Sequence, residues 1–485
     1  MSMVPSPSTT SRRLYAGLAA AVLALALFNL TYRIDRESLQ DWDESIYATS
    51  AWEAVTGGHW LGTTIYGELD YYNTKPPLNV WLIAAAFKVF GPSLVSLRLT
   101  SIVSAFLTIA LIQWWTWRHF GPRVALLASL ILSTTFGFLH IHSGRTANTD
   151  PLFTLLILLT AMTLVSEDAR PWRRTWLGPI LAAVFLLRGM AVLMPLAIVL
   201  VADVCHRRQA PRRWAPSLAA LALFLVPTGA WVIARYRLDR WEFLGPMVGY
   251  DFVQRTMQQL EGHAHGVLYY FEVLQQNHFD WLAAALVAAC VLPRSIWPRL
   301  GHAVVSARSN RLLVVLMSWA VLALAIPTVM QTKVPWYLTP FYPVFAIGLA
   351  ALIARGLHRA VATERPRWHA AALAATLVVV VSAAEARLIW YSFAVRDLRF
   401  SGQSLLLAER QQLKGRRVFQ DQHRRGVMFV ADALIGAHAQ VLAVDPCCVL
   451  RDVNPGDYLL TGDRVVATEL ELLRSNGIRW LYRRR

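Results

Sequence analysis

The sequence predicts an all-α polytopic membrane protein with about 11–13 transmembrane helices, followed by a small α/β domain at the C-terminus. Hydrophobic residues make up 56% of the 485-residue chain and charged residues only 16%, with a mean hydropathy of +0.41. Soluble proteins are nearer half apolar and a quarter charged, so this composition indicates lipid surroundings. The net charge of +17 would suggest nucleic acid in a soluble chain, but here the basic residues cluster between hydrophobic spans, as in membrane proteins.

Hydrophobic runs along the chain give the predicted crossings. Several are shorter than the roughly 20 residues that cross a bilayer, so their ends are approximate. The two short runs on either side of Arg188-Gly189 could instead be one tilted helix over 176–204, which would invert the sidedness of everything after it. The predicted spans lie near 14–32, 93–117, 124–141, 150–166, 176–187, 190–204, 215–234, 278–293, 312–330, 337–354 and 368–390.

The distribution of charge orients these spans. With the N-terminus inside, the inner segments hold nineteen arginines and three acids. The first outer loop, 33–77, holds three basic residues and eight acids. This positive-inside pattern predicts eleven crossings, a cytoplasmic N-terminus and an extracytoplasmic C-terminal domain. The first span lacks a signal-peptidase site and is predicted to be a retained anchor. Segment 78–90 is predicted to be an interfacial helix, with a further crossing as the alternative.

The chain divides into two predicted domains. Residues 1–392 form the transmembrane domain, in which 33–92 is the first extracytoplasmic loop with interfacial helices. Residues 393–485 become soluble in character and alternate short strands with helices, which is typical of an α/β domain. The predicted strands are 417–419, 441–444, 458–460 and 478–482, and the predicted helices lie near 403–413, 427–437 and 467–475.

Acids, cations and aromatic residues recur in the segments predicted to face outward. Arginine and lysine can bind a phosphate through charge-assisted hydrogen bonds, and a carboxylate can act as a general base. An aromatic face can pack against the apolar face of a sugar ring. These side chains therefore suit chemistry on a lipid-linked anionic substrate. They are Asp41, Asp43, Glu44, Tyr47, Trp60, Lys75, Arg145, Asp150, Arg188, Arg255, His263, His265, Lys333 and Tyr337.

Simpler structural interpretations exist for the acids and lysines. Asp41 and Asp43 form a DxD triplet, which binds a metal in nucleotide-sugar transferases but lacks a nucleotide-binding domain here. Asp43 also fits a helix N-cap, with Glu44 favourable to the helix dipole in the first turn. Lys75 and Lys333 also fit interfacial anchors, as lysines beside Trp and Tyr often do.

The remaining candidates have similar alternatives. Asp150 precedes a proline at a helix start and also fits an N-cap. His263 and His265 could ligate a metal, although exposed loop histidines usually do not. Arg188 is costly in lipid, so it either extends toward the outer interface or faces an anionic group.

In order along the chain, these motifs resemble the polyprenyl-phosphate-sugar-dependent membrane glycosyltransferases. The family includes the bacterial lipid A aminoarabinose transferases and the protein O-mannosyltransferases. The resemblance covers roughly residues 12–360. Its motifs are Asp43-Glu44-x-x-Tyr47, Gly58-His59-Trp60, Lys75-Pro76-Pro77, Arg145-x-x-x-x-Asp150-Pro151, Arg188-Gly189 and Lys333-x-x-x-Tyr337-x-x-Pro340-x-Tyr342-Pro343.

The resemblance implies a GT-C fold whose cavity opens to the outer leaflet. It puts Asp43 at the essential first-loop acid, with Glu44 beside it, and Asp150 at the second acid. Lys75 matches a cation near the donor phosphate. Arg188 stands where the aminoarabinose branch usually has lysine. Asp43, Asp150 and Glu44 are the expected catalytic acids. The further expected positions are Arg145, Lys333 and Arg188 at the donor phosphate, and Tyr47, Trp60, Tyr337, Arg255 and His265 at the substrates.

The function implied by the resemblance is an inverting sugar transfer from a polyprenyl-phosphate donor, such as undecaprenyl phosphate-sugar. The acceptor would be a lipid, such as lipid A, or another envelope component at the outer face of the inner membrane. No metal is required, because cations already line the site, and no nucleic acid is expected. Transfer to protein hydroxyls is the main alternative. A transporter or flippase would show inverted halves and ionisable groups at the bilayer midplane, and a non-catalytic assembly factor would not need the first-loop acids.

Overall fold

A computed structural model describes residues 9–73, 75–167, 169–206, 214–291, 310–362, 368–421, 425–441 and 453–485. Helices dominate the structure, as predicted. The longer ones are Thr9–Thr31, Asp43–Gly57, Leu78–Phe90, Leu94–Phe120, Pro122–Thr134, Asp150–Ser166, Leu177–Arg188, Leu193–His206, Trp214–Asp239, Tyr269–Val291, Arg311–Val329, Tyr342–Ala362 and Trp368–Ala394.

The protein crosses a membrane several times. Within the described ranges, seven helical segments are long and apolar enough to span a bilayer. They are Arg13–Arg36, Leu94–Phe120, Pro171–Cys205, Trp214–Asp239, Arg311–Val329, Pro335–His358 and Ala371–Ala394. Shorter apolar helices occupy Leu78–Phe90, Pro122–Thr134, Asp150–Ser166 and Asp280–Ala289. Ten of these eleven segments account for the predicted spans, and Leu78–Phe90 is the helix predicted to be interfacial.

The helical runs 124–141 and 176–204 are both interrupted; the first was predicted as one span, and the second as two spans, 176–187 and 190–204. The run 124–141 divides at Thr135, whose extended backbone separates helix Pro122–Thr134 from the short helix Phe136–Leu139. The run 176–204 divides at Gly189, which has φ 54° and ψ −118°. That conformation is accessible essentially only to glycine, so the break is encoded in the sequence. A short 3₁₀ turn, Gly189–Val192, then leads into the next helix.

The chain folds into two compact units. The first comprises Met1–Tyr32, Ser101–Arg145 and Thr149–Leu388, which contain most of the long apolar helices. The second comprises Arg33–Thr100, Thr146–Asn148 and Ile389–Arg485. The first outer loop thus shares a unit with the C-terminal segment, whereas the sequence placed a domain boundary after residue 392. That boundary stays a prediction.

A five-stranded mixed sheet forms the C-terminal part of the second unit. Numbering strands from the hairpin of the first loop, β1 (Thr64–Ile65) and β2 (Glu68–Leu69) pair antiparallel. The sheet follows in the order β4-β3-β5-β7-β6. β3 is parallel to both β4 and β5, whereas β7 is antiparallel to β5 and β6. The bounds are β3 Arg417–Gln420, β4 His438–Val441, β5 Tyr458–Thr461, β6 Leu470–Ser475 and β7 Trp480–Arg484.

The predicted helix over 467–475 is wrong, because Leu470–Ser475 is the edge strand β6. Apolar and polar residues alternate over Glu469–Leu472, with the two-residue period of a strand. It is held as a hairpin with β7 by a turn in which Gly477 has φ 81°. The other two predicted helices are present as short segments, with Gly402–Ala408 and Arg425–Phe429 the clearest. Of predicted strand 441–444, residues 442–444 lie outside the described ranges.

An apolar core fixes the first loop in place. Tyr47 and Ala51 of helix Asp43–Gly57 pack against Ile83 and Phe87 of helix Leu78–Phe90. Phe87 stacks on Phe429, which lies in the connection between β3 and β4, with ring centroids 5.7 Å apart. The helix carrying Asp43 is therefore buried along one side and rigidly placed.

Candidate active site

The turn before Asp43 has an unusual backbone. Trp42 has φ 76° and ψ −127°, a region that a bulky L-residue rarely occupies. Its side chain is two-thirds exposed, so core packing of the indole does not impose this conformation. Such outliers occur at functional sites, where the surrounding structure holds them in place. Asp43 follows as the first helical residue, and Trp42 occupies the N-cap, so Asp43 is not the N-cap residue.

Asp43 forms an ion pair with Lys75. The ammonium Nζ lies 3.8 Å from Asp43 Oδ1. The same Nζ lies 5.8 Å from the centroid of the Tyr47 ring, one helical turn after Asp43. Both charged side chains are partly open to solvent, at 23% for Lys75 and 31% for Asp43. The separation exceeds a hydrogen bond, so a carboxylate and an ammonium stand side by side and both can be reached by a substrate.

Glu44, the next residue of this helix, is fully buried. Its carboxylate accepts hydrogen bonds from Arg98 Nε at 2.7 Å and from the backbone N–H groups of Gln40 and Ala147. Arg396 Nη2 lies 3.7 Å away. Burial alone would raise the pKa of Glu44, but Arg98 and Arg396 outweigh that effect and hold the pKa below its usual value. With no exposed surface, Glu44 is placed to position its neighbour rather than to contact a substrate.

Arg98 joins the turn to the first transmembrane segments. It is fully buried and also donates to the carbonyl oxygens of Ile34, Glu37 and Ser38, at 2.7–3.1 Å. The entire approach to the turn is thereby attached to helix Leu94–Phe120. Sequence reasoning missed Arg98, although a signal was available. A lone arginine within a predicted apolar span is costly unless it has partners.

Trp60 is engaged within the first loop itself. Lys88 Nζ lies 4.6 Å from the centroid of the Trp60 ring, and Trp81 Nε1 donates to the Trp60 carbonyl oxygen at 2.6 Å. These contacts hold the loop against helix Leu78–Phe90. The predicted role of Trp60 in substrate binding stays a prediction.

In the first unit, Asp150 pairs with Arg188. Arg188 Nη1 donates to Asp150 Oδ1 at 2.5 Å, and the guanidinium lies 5.1 Å from the Phe153 ring centroid. Asp150 is buried, and Thr149 occupies the N-cap of its helix, so the N-cap interpretation of Asp150 does not hold. Of the two predicted environments for Arg188, the structure provides the anionic one. The Gly189 break sets Arg188 at the end of its helix.

Arg145 stabilises the end of a helix. Its guanidinium donates to the carbonyl oxygens of Asn29 and Tyr32, in and just after the last turn of helix Thr9–Thr31. A cation there satisfies unpaired carbonyl groups and complements the helix dipole. The side chain is almost fully buried. This arrangement favours a structural role over phosphate binding.

Lys333 and its neighbours join two loops of the first unit. Lys333 Nζ donates to the Met330 carbonyl oxygen at 2.6 Å. The backbone N–H of Lys333 donates to the His263 carbonyl oxygen at 3.2 Å. The backbone N–H of Thr332 donates to the Arg255 carbonyl oxygen, so segments 255–265 and 331–333 run side by side. Lys333 is buried at this junction.

The other predicted residues of these loops pair locally. Arg255 forms ion pairs with Asp251 at 3.2 Å and with Glu261 at 2.8 Å. His265 stacks on Tyr269 with ring centroids 4.0 Å apart. Their roles at the substrates stay predictions.

Trp336 was not predicted as a site residue, but its ring contacts two histidines. His142 stacks on the Trp336 ring at 3.8 Å between centroids, and His263 approaches it edge-on at 6.4 Å. His263 and His265 thus contact different rings. Within the described ranges, no group of three or more His, Cys, Asp or Glu side chains is arranged to hold a metal.

Comparison with known proteins relates the chain to transferases of lipid-linked sugars. A family model described as dolichyl-phosphate-mannose-protein mannosyltransferase matches residues 74–234. The undecaprenyl phosphate-alpha-4-amino-4-deoxy-L-arabinose arabinosyl transferase of Pseudomonas aeruginosa is 29% identical over 329 residues, covering 66% of this chain and 56% of that relative. The protein of the same name from Edwardsiella ictaluri is 26% identical over 341 residues, covering 68% and 58%. The chain thus matches a little over half the length of these relatives.

Solved structures extend the likeness to the whole fold. ArnT from Cupriavidus metallidurans bound to undecaprenyl phosphate aligns with a TM-score of 0.69 and 16% identity over 98% of both chains. The archaeal oligosaccharyltransferase AglB from Archaeoglobus fulgidus aligns with a TM-score of 0.52 and 11% identity, over 94% of this chain and 70% of that chain. These likenesses confirm the predicted fold class. Together with the relatives they confirm the resemblance that the ordered motifs indicated.

Proposed function

We propose that this protein transfers one sugar from a polyprenyl phosphate to an envelope acceptor. Its motifs and its fold resemble those of the polyprenyl-phosphate-sugar-dependent membrane glycosyltransferases. The donor class follows from the relatives, which are named for undecaprenyl-phosphate-linked sugar, and from a fold neighbour bound to undecaprenyl phosphate. The observation that carries the proposal is the Asp43–Lys75 pair, at a strained turn on a rigidly packed helix.

The chemistry divides between these two side chains. The acceptor oxygen attacks the anomeric carbon, and the bond from that carbon to the phosphate oxygen breaks, leaving the electron pair on the polyprenyl phosphate. Attack opposite the leaving group inverts the anomeric configuration. Asp43 takes the proton of an acceptor hydroxyl, a contribution typically worth 10²–10⁴-fold in rate. The Lys75 ammonium stabilises the charge that develops on the departing phosphate.

If the acceptor oxygen belongs to a phosphate, as on lipid A, no base is needed. Asp43 then orients the acceptor or stabilises positive charge developing on the sugar. This distinction gives Asp43→Asn a diagnostic value, because an amide keeps hydrogen bonding but loses both the charge and the basicity.

Two residues of the second unit support the reacting pair. Glu44 and Arg98 hold the turn, as their buried network indicates. In the first unit, Arg188, oriented by Asp150, is the proposed anion-binding cation. Arg145 is proposed as a helix cap rather than a donor-phosphate ligand, because its guanidinium already donates to the carbonyl oxygens of Asn29 and Tyr32. Lys333 is a further proposed cation at the donor phosphate, because it matches that position in the sequence resemblance.

The proposed location is the inner membrane of a bacterium, with the N-terminus cytoplasmic and the C-terminal domain outside. The supporting observation is the concentration of arginine in one set of loops and of acids in the first loop of the other set. The lipid donor and a lipid or glycan acceptor would reach the site from the membrane and its outer surface. A protein acceptor is the competing possibility, which the family model's description favours.

The test uses purified full-length protein in lipid nanodiscs, mixed with a membrane-lipid and envelope-glycan extract from a deletion strain. Mass spectrometry follows loss of the lipid-linked sugar, gain of free polyprenyl phosphate and gain of one sugar mass on an acceptor. Asp43→Asn should lower all three rates by at least about 100-fold. Asp35→Asn, which alters an exposed acid of the same loop, is the matched control. Equal rates for Asp43→Asn and wild type would contradict the proposal.

A further inference from the structure

A cleft lies in the second unit beside the turn that carries Asp43. It has a volume of about 190 Å³ and is bounded by the start of the first loop and by the C-terminal sheet. It is smaller than the roughly 300–1,000 Å³ of pockets that hold drug-sized ligands. The side chains that matter most for its chemistry are Asp41, Phe400, Gln420, Asp421, Thr461 and Arg479.

The topology of the sheet explains why a cleft forms here. Gln420 ends β3 and Thr461 ends β5, two parallel neighbours at the centre of the sheet. From β3 the chain continues to β4 on one side, whereas from β5 it continues to β6 and β7 on the other. The connections therefore leave β3 and β5 in opposite directions. In open α/β sheets, a crevice opens at such a switch point, beyond the carboxyl ends of the strands, and ligands bind there.

Hydrogen bonds fix the polar groups on the two sides of the cleft. The backbone N–H of Gly462 donates to Asp421 Oδ2 at 2.5 Å, which orients that carboxylate. On the other side, Gln403 makes two hydrogen bonds of 2.9 Å with the backbone of Leu39. The segment that leads to Asp41 is thereby attached to helix Gly402–Ala408. A ligand would meet side chains already held in position.

Two glycines lie close to polar side chains that line the cleft. A methyl group placed on Gly462 would lie 2.7 Å from Arg479 Nη1 and 3.3 Å from Asp421 Oδ2. A methyl group on Gly426 would lie 2.9 Å from Gln403 Nε2 and 3.2 Å from Asp41 Oδ1. Neither glycine has a positive φ, so turn geometry does not account for them. The close approach of polar side chains accounts for the two glycines.

The charges of the cleft select among ligand classes. Two carboxylates, Asp41 and Asp421, face one guanidinium, Arg479, so the lining is net acidic and disfavours a phosphate. Amide, hydroxyl and carboxylate oxygens accept hydrogen bonds, and Arg479 and Gln420 donate them. The exposed ring of Phe400 offers an apolar face. Alternating donors and acceptors with one aromatic face suit a sugar ring, which carries hydroxyl groups around its edge and an apolar surface of C–H groups.

We propose that this cleft binds an unphosphorylated, hydroxyl-rich sugar unit of the acceptor. Asp41 lines the cleft, and Asp43 stands two residues further on, across the strained Trp42. One short turn thus connects the cleft to the proposed reacting carboxylate. A sugar held against Asp41 and Asp421 anchors the acceptor beside Asp43, and the site determines which glycan is modified. That the bound sugar belongs to the acceptor rests on the proposed function, whereas sugar binding by the cleft does not.

The first experiment measures binding without any donor. Full-length protein in nanodiscs is titrated with a panel of methyl glycosides and glucosamine, and with inorganic phosphate, using saturation-transfer-difference NMR. At least one sugar should bind saturably and phosphate should not. Asp421→Asn should weaken that sugar by at least about tenfold, since a hydrogen bond to a charged group is lost. Phe400→Ala, which removes an exposed ring, should also weaken binding.

Matched controls lie on the same domain. Asp463 and Arg464 are exposed, follow Gly462 directly and do not line the cleft, so Asp463→Asn and Arg464→Leu should bind sugar like wild type. Saturable sugar binding that both Asp421→Asn and Phe400→Ala leave unchanged would overturn the proposal. Failure of every sugar in the panel to bind wild type would overturn it as well, as would preferential binding of phosphate.

The same proteins separate this inference from the proposed function. If Asp43→Asn binds the cleft sugar normally but no longer transfers a sugar from the lipid donor to the acceptor, both proposals stand. If no sugar binds while Asp43→Asn still abolishes transfer, the cleft proposal fails and the transferase stands. If the cleft binds sugar but the envelope components modified by Asp43→Asn are the same as those modified by wild type, the cleft proposal stands and the proposed function fails.

Discussion

Lys75 is the residue whose charge is most directly tied to the proposed reaction. Replacing it with glutamine removes the ammonium beside Asp43 while keeping a hydrogen-bond donor. We expect the transfer rate to fall by about 10²–10³-fold, as when one group stabilising a developing negative charge is removed. The rate of sugar transfer in nanodiscs measures this. Lys75→Arg should recover part of the activity, and Lys414→Gln, on the exposed surface, should retain all of it.

Glu44 and Arg98 predict a dependence of stability on pH. The pKa of Glu44 is lowered in the folded protein, below the 4.5 of an unperturbed group. Its stabilising contribution is therefore complete above pH 4.5 and is lost as the pH falls through the lowered value. Glu44→Gln should lower the unfolding midpoint at pH 7, because breaking a buried ion pair costs about 3–5 kcal/mol.

Thermal unfolding of wild type and Glu44→Gln at pH 7 and at pH 3 checks this expectation. The two proteins should differ most at pH 7 and converge as the pH falls. A difference that grows in acid would show that the carboxylate is not stabilised by its arginine partners. Asp35→Asn again serves as the control, because Asp35 is exposed in the same loop.

At this scale, the sequence predicted residue types better than residue environments. Asp43 and Lys75 were both predicted as site residues, and the structure adds that they form an ion pair. The burial of Glu44 was not, because adjacent acids look equivalent in sequence. Only the helix, which turns Asp43 toward Lys75 and Glu44 toward Arg98, distinguishes them.

Among the elements, the break at Gly189 sets where Arg188 can point. The positive φ of Gly189, with ψ −118°, is strained for any residue with a Cβ. Gly189→Ala should therefore destabilise the protein by about 1–3 kcal/mol and lower transfer by displacing Arg188 from Asp150. Gly229→Ala is the matched control, since Gly229 lies inside a helix with no atom within 4 Å of an added methyl group. Unfolding midpoints and transfer rates of both variants make the comparison.

An unchanged Gly189→Ala would mean that helices Leu177–Arg188 and Leu193–His206 are not separated as described. The sequence left that choice open, because hydrophobic periodicity continues through 176–204. What decides it is a single backbone conformation, which periodicity does not report.

The C-terminal sheet shows the same difference between pattern and context. Strands at 417–419 and 458–460 were predicted from short runs of β-branched, aromatic and leucine residues, and both are present, each one residue longer. The stretch 467–475 contains Glu-Leu repeats that favour a helix by propensity. Pairing with β7 across the Gly477 turn overrides that propensity and makes it an edge strand.

For the whole molecule, the arginine distribution predicts an orientation. A reporter that is active only outside the cytoplasm, such as alkaline phosphatase, should be active when fused after Arg485. A green fluorescent protein at the same place, exported unfolded, should stay dark. The opposite pair of results would place the C-terminal domain in the cytoplasm. A continuous helix over 176–204 would produce that outcome, so the fusion also checks the count of crossings.

The central claim is that this protein moves one sugar from a lipid phosphate and that Asp43 is required. The most direct test compares deletion, wild-type-complemented and Asp43→Asn-complemented strains by mass spectrometry of envelope lipids, glycans and secreted proteins. We expect one sugar mass to disappear from one fraction on deletion. Wild type should restore it and Asp43→Asn should not, although both proteins are present at equal levels. Restoration by Asp43→Asn, or no change in any fraction on deletion, would contradict the account.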